Sequence, residues 1–173
     1  MLNRRNFLAA AALTATLTMP MMASTAQAAD WSKDYPEIVL GVIPAENAST
    51  TSDRYAPLAA YLGKELGTKV TLRVANDYAA VIEGQRAGNI QIAFYGPASY
   101  ARAVMTGVET TPLVNQRHNT GVNGYYSVVY VLHDSPYKTM EDLKGKAIAL
   151  VDPNSTSGTN APRFVLNPDG SRV

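Results

Sequence analysis

Seven consecutive residues, Asp152-Pro153-Asn154-Ser155-Thr156-Ser157-Gly158, hold the densest chemistry in this chain. They follow an apolar run, Ala147-Ile148-Ala149-Leu150-Val151, that reads as a buried strand, and they open a helix. A helix start exposes N–H groups without partners and the positive end of the peptide dipole, so it attracts anions. Ser155, Thr156 and Ser157 add hydroxyl donors at that point without adding charge. No GxxxxGKS/T lysine accompanies them, which excludes a nucleotide P-loop. The loop therefore suits a small tetrahedral oxyanion. On local sequence alone, a helix N-cap with surplus hydroxyls remains the alternative.

Other chemistries find less support. A hydrolase using Ser155 or Ser157 as nucleophile needs a His or Lys base, and none is close in sequence. His118 and His133 lie far apart without a carboxylate cluster, so neither a metal site nor a triad is expected. There is no cysteine, which removes disulfides and thiolate chemistry together. No cofactor is expected.

The N-terminus carries a basic Asn3-Arg4-Arg5-Asn6 stretch, an apolar run from Phe7 to Met22 and a small-x-small site, Ala26-Gln27-Ala28. This is a secretory signal peptide over residues 1–28, cleaved after Ala28. Arg4-Arg5-Asn6-Phe7-Leu8 also matches the twin-arginine pattern, with an ordinary Sec signal as the alternative. Removing 28 residues takes away two arginines and leaves 145 residues with 13 basic and 14 acidic groups. That balance gives no basic face for nucleic acid.

The elements that must position the loop follow from periodicity. Glu37–Ile43 reads as a strand. A helix opens at Ser52 or Asp53 and carries apolar residues at Tyr55, Leu58, Ala59, Leu62 and Leu66 to a stop at Gly67. Val70–Ala75 is the next strand. Asp77 caps a helix over Tyr78–Ala87, closed by Gly88, and Ile90–Phe94 is the third strand. Pro97 then starts a helix to Thr106, where a missing N–H is tolerated. This alternation predicts an α/β fold with a mainly parallel sheet flanked by helices. Further strands are expected at Leu113–Gln116, Tyr125–Leu132 and Ala147–Val151, with a short helix at Thr139–Lys144. Pro162 predicts a first turn from Ser155 followed by a helical restart.

Five segments in order carry a family resemblance: Asp77–Gly84, Ile92–Pro97, Tyr125–Val128, Met140–Lys146 and Asp152–Gly158. Together they resemble the periplasmic substrate-binding proteins of phosphate/phosphite/phosphonate ABC transporters, over roughly Glu37–Leu166. The resemblance implies a type II periplasmic binding fold of two lobes that close on a ligand. It implies a first lobe over residues 29–132, and a hinge with the beginning of a second, incomplete lobe over 133–166. Residues 167–173 form a tail outside the family pattern, and family members continue well beyond this point, so a truncated chain is expected. Ser155, Thr156 and Ser157 are the implied oxyanion ligands. Tyr78 and Tyr95 are the implied facing hydroxyls, with Tyr125 a further candidate. The implied partners are a small oxyanion (phosphonate, phosphite or phosphate) and an inner-membrane ABC permease, for a periplasmic, monomeric, non-enzymatic protein. The alternatives are a ligand-sensing extracytoplasmic domain of a signalling system and a fragment without function.

Overall fold

Alternation along the central strand decides the architecture. The computed structural model describes residues 31–167. The predicted signal peptide, and the tail beyond Asn167, lie outside the described residues. Three parallel strands, β1 (Glu37–Val42), β2 (Lys69–Val74) and β3 (Ile92–Phe94), form a sheet ordered β2-β1-β3. Leu40 pairs with Leu72 on one side and with Ile92 on the other. Because side chains alternate between faces, Leu40, Val42, Ile92 and Phe94 pack with Ala59, Tyr55 and Leu62 of α1 (Ala48–Leu66). The intervening Val39, Ile43, Ala93 and Tyr95 pack with Tyr78 and Val81 of α2 (Tyr78–Arg86). The chain moves from β1 to one neighbour and then back across to the other, and crossovers of one hand then place α1 and α2 on opposite faces. α3 (Pro97–Met105) lies against α2, with Ala103 and Val108 packed on Ile82.

The helix ends follow local chemistry. Gly67 takes φ 64° after α1, and Gly88 takes φ 73° beyond α2, conformations that cost a glycine little. Asp77 caps α2 by accepting from the Ala80 N–H at 2.7 Å. The start of α1 corrects the sequence expectation. Its cap is Asn47, whose side chain accepts from Thr50 N–H at 2.9 Å, so the polar stretch through Ser52 is helical rather than loop. Pro57 sits inside α1 on its exposed side, where its missing N–H costs one intrahelical bond.

Strand β3 begins two residues later than the apolar run suggests. Ile90 is buried, and side chains built onto Gly41 and Gly84 would each come within 2.6 Å of its Cδ1. The two glycines thus form a slot that lets α2 approach β1, and Ile90 fills it.

The three later strands are not formed. Leu113–Gln116, Tyr125–Leu132 and Ala147–Val151 make no ladder among the described residues, and Val114, Tyr126 and Tyr130 are almost fully exposed. Aromatic and β-branched residues favour a strand only when a neighbouring strand takes up their N–H and C=O groups and covers a face. The expected helix at Thr139–Lys144 contracts to one 3₁₀ turn, Glu141–Leu143. The break at Pro162 holds: one π-helical turn, Thr156–Asn160, gives way to α4 (Ala161–Leu166), with Pro162 in the first turn of α4.

Candidate functional site

The Asp152–Gly158 loop is shaped by its own first residue. Asp152 Oδ1 accepts from Asn154 N–H at 2.7 Å, and its carbonyl accepts from Ser155 N–H at 2.8 Å, a side-chain-supported turn of the kind Asp-Pro-Asn encodes. Ser155, buried at 5% exposure, then caps the following turn by accepting from Gly158 N–H at 3.2 Å. Gly158 O accepts from Val151 N–H at 3.1 Å, which ties the loop to the segment before it. A side chain on Gly158 would meet Val151 Cγ2 at 2.5 Å, so only glycine lets the loop fold back this closely.

The turn from Thr156 to Asn160 is wide because the Ser155 carbonyl accepts from Asn160 N–H at 3.0 Å and from Asn160 Nδ2 at 2.8 Å. Thr159 Oγ1, in a residue 2% exposed, is left without a partner. A helical threonine ordinarily turns to the carbonyl four residues back, and here that carbonyl already accepts twice. Single π turns recur at functional sites.

The loop lies against the starts of two other helices. Tyr78 N–H, at the start of α2, donates to Asp152 Oδ2 at 3.1 Å. Ala98 N–H, at the start of α3, donates to Thr156 Oγ1 at 2.8 Å. Gly96 permits that approach, since the position its Cβ would take is 3.4 Å from Thr156 Oγ1. Three helix starts therefore meet at the carboxyl ends of β1 and β3, where the strand order reverses and crevices of open α/β sheets form. Ser127 adds a fourth tie by donating to the Ser157 carbonyl at 2.6 Å.

The sequence-selected residues separate on this geometry. Ser155, Thr156 and Ser157 stand together at the helix start. Ser155 and Thr156 hydroxyls each accept from a backbone N–H, and among the described residues neither hydroxyl donates to a partner. Tyr95 lies at the end of β3, immediately before Gly96, and its hydroxyl donates to Gln85 Oε1 at 2.9 Å. Burial, then the nearby Glu83 charge, pushes its phenol up to about 12. The Tyr78 ring is buried in the core with Ile43, Val81 and Ile90, and it is the backbone N–H that faces the loop. Tyr125 is exposed, two residues from Ser127. Sequence reading missed Asp152 Oδ2, Ala98 N–H, Ser127 and Asn160. These contacts join segments at least 30 residues apart or depend on the wide turn. Among the described residues no group of three or more His, Asp or Glu is placed to hold a metal ion.

The sequence model for the periplasmic substrate-binding proteins of phosphonate ABC transporters matches residues 40–173. The chain belongs to this family. It is 38% identical over 164 residues to the phosphate-import protein PhnD of Mycolicibacterium smegmatis, covering 93% of this chain and 51% of that protein. It is 32% identical to the phosphonates-binding periplasmic protein of Escherichia coli, covering 92% and 47% respectively. The chain thus spans about half the length of the curated relatives it matches. In structure it is similar to a binding protein component of an ABC phosphonate transporter from Pseudomonas aeruginosa. The TM-score is 0.68 at 26% identity, over 80% of this chain and 47% of that one. The parallel α/β sheet flanked by helices is that of the periplasmic binding proteins, and the family's members are substrate-binding components of transporters.

Proposed function

We propose that this protein is the solute-binding component of an ABC importer for phosphonate, phosphite or phosphate-type oxyanions, and that the anion binds at the helix start formed by Ser155, Thr156 and Ser157. One observation carries the reading: the Ser155 and Thr156 hydroxyls are held as acceptors by backbone N–H groups, so both are oriented and both still have a hydrogen to donate. An anion needs donors only, and neutral donors at the positive end of a helix supply them without a counter-ion. The names of the relatives, phosphate-import and phosphonates-binding, support the ligand class.

In this reading no bond is made or broken. The anion lies in a cleft between two lobes, residues 29–132 and the region from 133 onward, which close over it. Tyr95 faces it from the end of β3 and gives up its bond to Gln85 when it donates to the ligand. Tyr78 and Tyr125 border the same cleft. The protein is exported by the signal at residues 1–28, acts as a periplasmic monomer and hands its cargo to a membrane permease.

The test is calorimetry or thermal shift on purified full-length protein with methylphosphonate, 2-aminoethylphosphonate, phosphite and phosphate. Saturable binding of at least one is expected, and Thr156→Val, which removes a hydroxyl at nearly constant shape, should weaken it. Silence toward all four would sink the substrate class.

A further inference from the structure

The carboxylate of Asp152 is spent on backbone N–H groups: Oδ1 on Asn154 at 2.7 Å and Oδ2 on Tyr78 at 3.1 Å. Tyr78 opens α2, and the N–H groups of a first turn have no partner within their own helix. The local cap, Asp77, satisfies only Ala80 N–H, two residues further in. Of the donors it leaves, Tyr78 N–H is met by a carboxylate 74 residues away in sequence, placed at the N-terminal end of α2 where the dipole favours negative charge.

We propose that Asp152 is the positioning residue of the oxyanion loop. The proposal rests on the reading of Ser155–Ser157 as the anion site. Asp152 joins the two structures that must agree for that site to work. Through Oδ1 and its carbonyl it sets the turn that delivers Asn154 and Ser155. Through Oδ2 it fixes that turn against the start of α2, while Thr156 Oγ1 meets α3 at Ala98 N–H. A loop held at both points presents the Ser155 and Thr156 hydroxyls in one orientation. Because the Asp152 charge already occupies the start of α2, an arriving anion is directed to the Ser155 helix start instead. Asp152 touches no ligand in this arrangement. It acts through the loop.

Two variants, Asp152→Ala and Asp152→Asn, test this against the parent protein. Amide exchange at Tyr78, with Val81 of the same helix as reference, is read without ligand. Calorimetric titrations use inorganic phosphate and methylphosphonate. In Asp152→Ala, Tyr78 exchange should accelerate more than about tenfold relative to Val81, and affinity for both anions should fall by about tenfold or more. Asp152→Asn keeps one oxygen acceptor for two N–H donors, so one of the two bonds is lost, and its affinity should fall between those of the parent and the Ala variant. If Asp152→Ala fails to fold, seen as loss of Val81 protection, a through-hydrogen-bond coupling between the Tyr78 nitrogen and Asp152 Cγ in the unmodified protein decides instead, and its absence overturns the proposal. Unchanged Tyr78 exchange in Asp152→Ala overturns it. So does unchanged anion affinity in that variant, or an Asn variant as damaged as the Ala variant. A parent silent toward phosphite and 2-aminoethylphosphonate as well as these two anions overturns the oxyanion reading and this proposal with it. A parent that binds while the Tyr78 amide stays silent overturns this proposal alone.

Discussion

Gly158→Ala puts the loop's geometry to its sharpest test. The added methyl would stand 2.5 Å from Val151 Cγ2, 2.7 Å from Val151 Cβ and 3.0 Å from Ser155 Oγ. A Cβ stem cannot rotate away, so relief requires the backbone of Val151 or of the loop itself to move. Such a shift strains two bonds at once, Gly158 N–H to Ser155 Oγ at 3.2 Å and Val151 N–H to Gly158 O at 3.1 Å. Inserting a methyl into a close-packed position costs about 2 kcal/mol, which corresponds to roughly 30-fold in an opening equilibrium. The cost falls on the loop rather than on the sheet, so amide exchange at Val151 reads it directly, with Leu40 in β1 as an unaffected reference. Val151→Ala removes Cγ2 but leaves Cβ at 2.7 Å, so the double variant should recover part of the loss, a coupling of about 1 kcal/mol in a double-mutant cycle. The reasoning fails if Gly158→Ala exchanges at Val151 like the parent, or if the double variant is simply additive.

Asn47→Ala should destabilise the protein by about 0.5–2 kcal/mol in urea unfolding, because it removes the α1 cap, whereas Asp53→Ala should stay within about 0.5 kcal/mol. The reverse order would return the helix start to Asp53. Gly84→Ala should cost about 1–3 kcal/mol by crowding buried Ile90, and Ile90→Val in the same chain should recover part of it, measured as the shift in urea midpoint. Tyr95 should remain protonated at pH 11 in ultraviolet titration, since its phenol is pushed up to about 12. The unfolded chain loses that proton near pH 10 while the folded chain keeps it, so Tyr95 contributes stability fully present below about pH 10 and lost as pH rises toward 12. Thermal melts of Tyr95→Phe should lose this part of the alkaline dependence; an identical pH profile would refute the assignment.

What the sequence by itself determined is local. The apolar run from Ile38 to Ile43 could only be a buried strand, and Gly67, Gly88, Asp77 and Pro97 mark helix ends because each meets a backbone requirement within a few residues of itself. The Asp152–Gly158 loop was legible for the same reason, since turn, cap and π turn are made by neighbours in the chain. The tertiary structure decided whatever needs a distant partner. Tyr125–Leu132 has strand composition but makes no ladder, because pairing is a property of two segments and not of one. Ile90 left the strand it resembled because Gly41 and Gly84 opened a slot for it. Tyr78 turned its ring into the core and offered its N–H, and Tyr95 gave its hydrogen to Gln85. No spacing in the sequence encodes a bond between Asp152 and a residue 74 positions away. That bond exists because parallel strands gather the helix starts at one edge of the sheet, and a carboxylate is drawn to the donors waiting there.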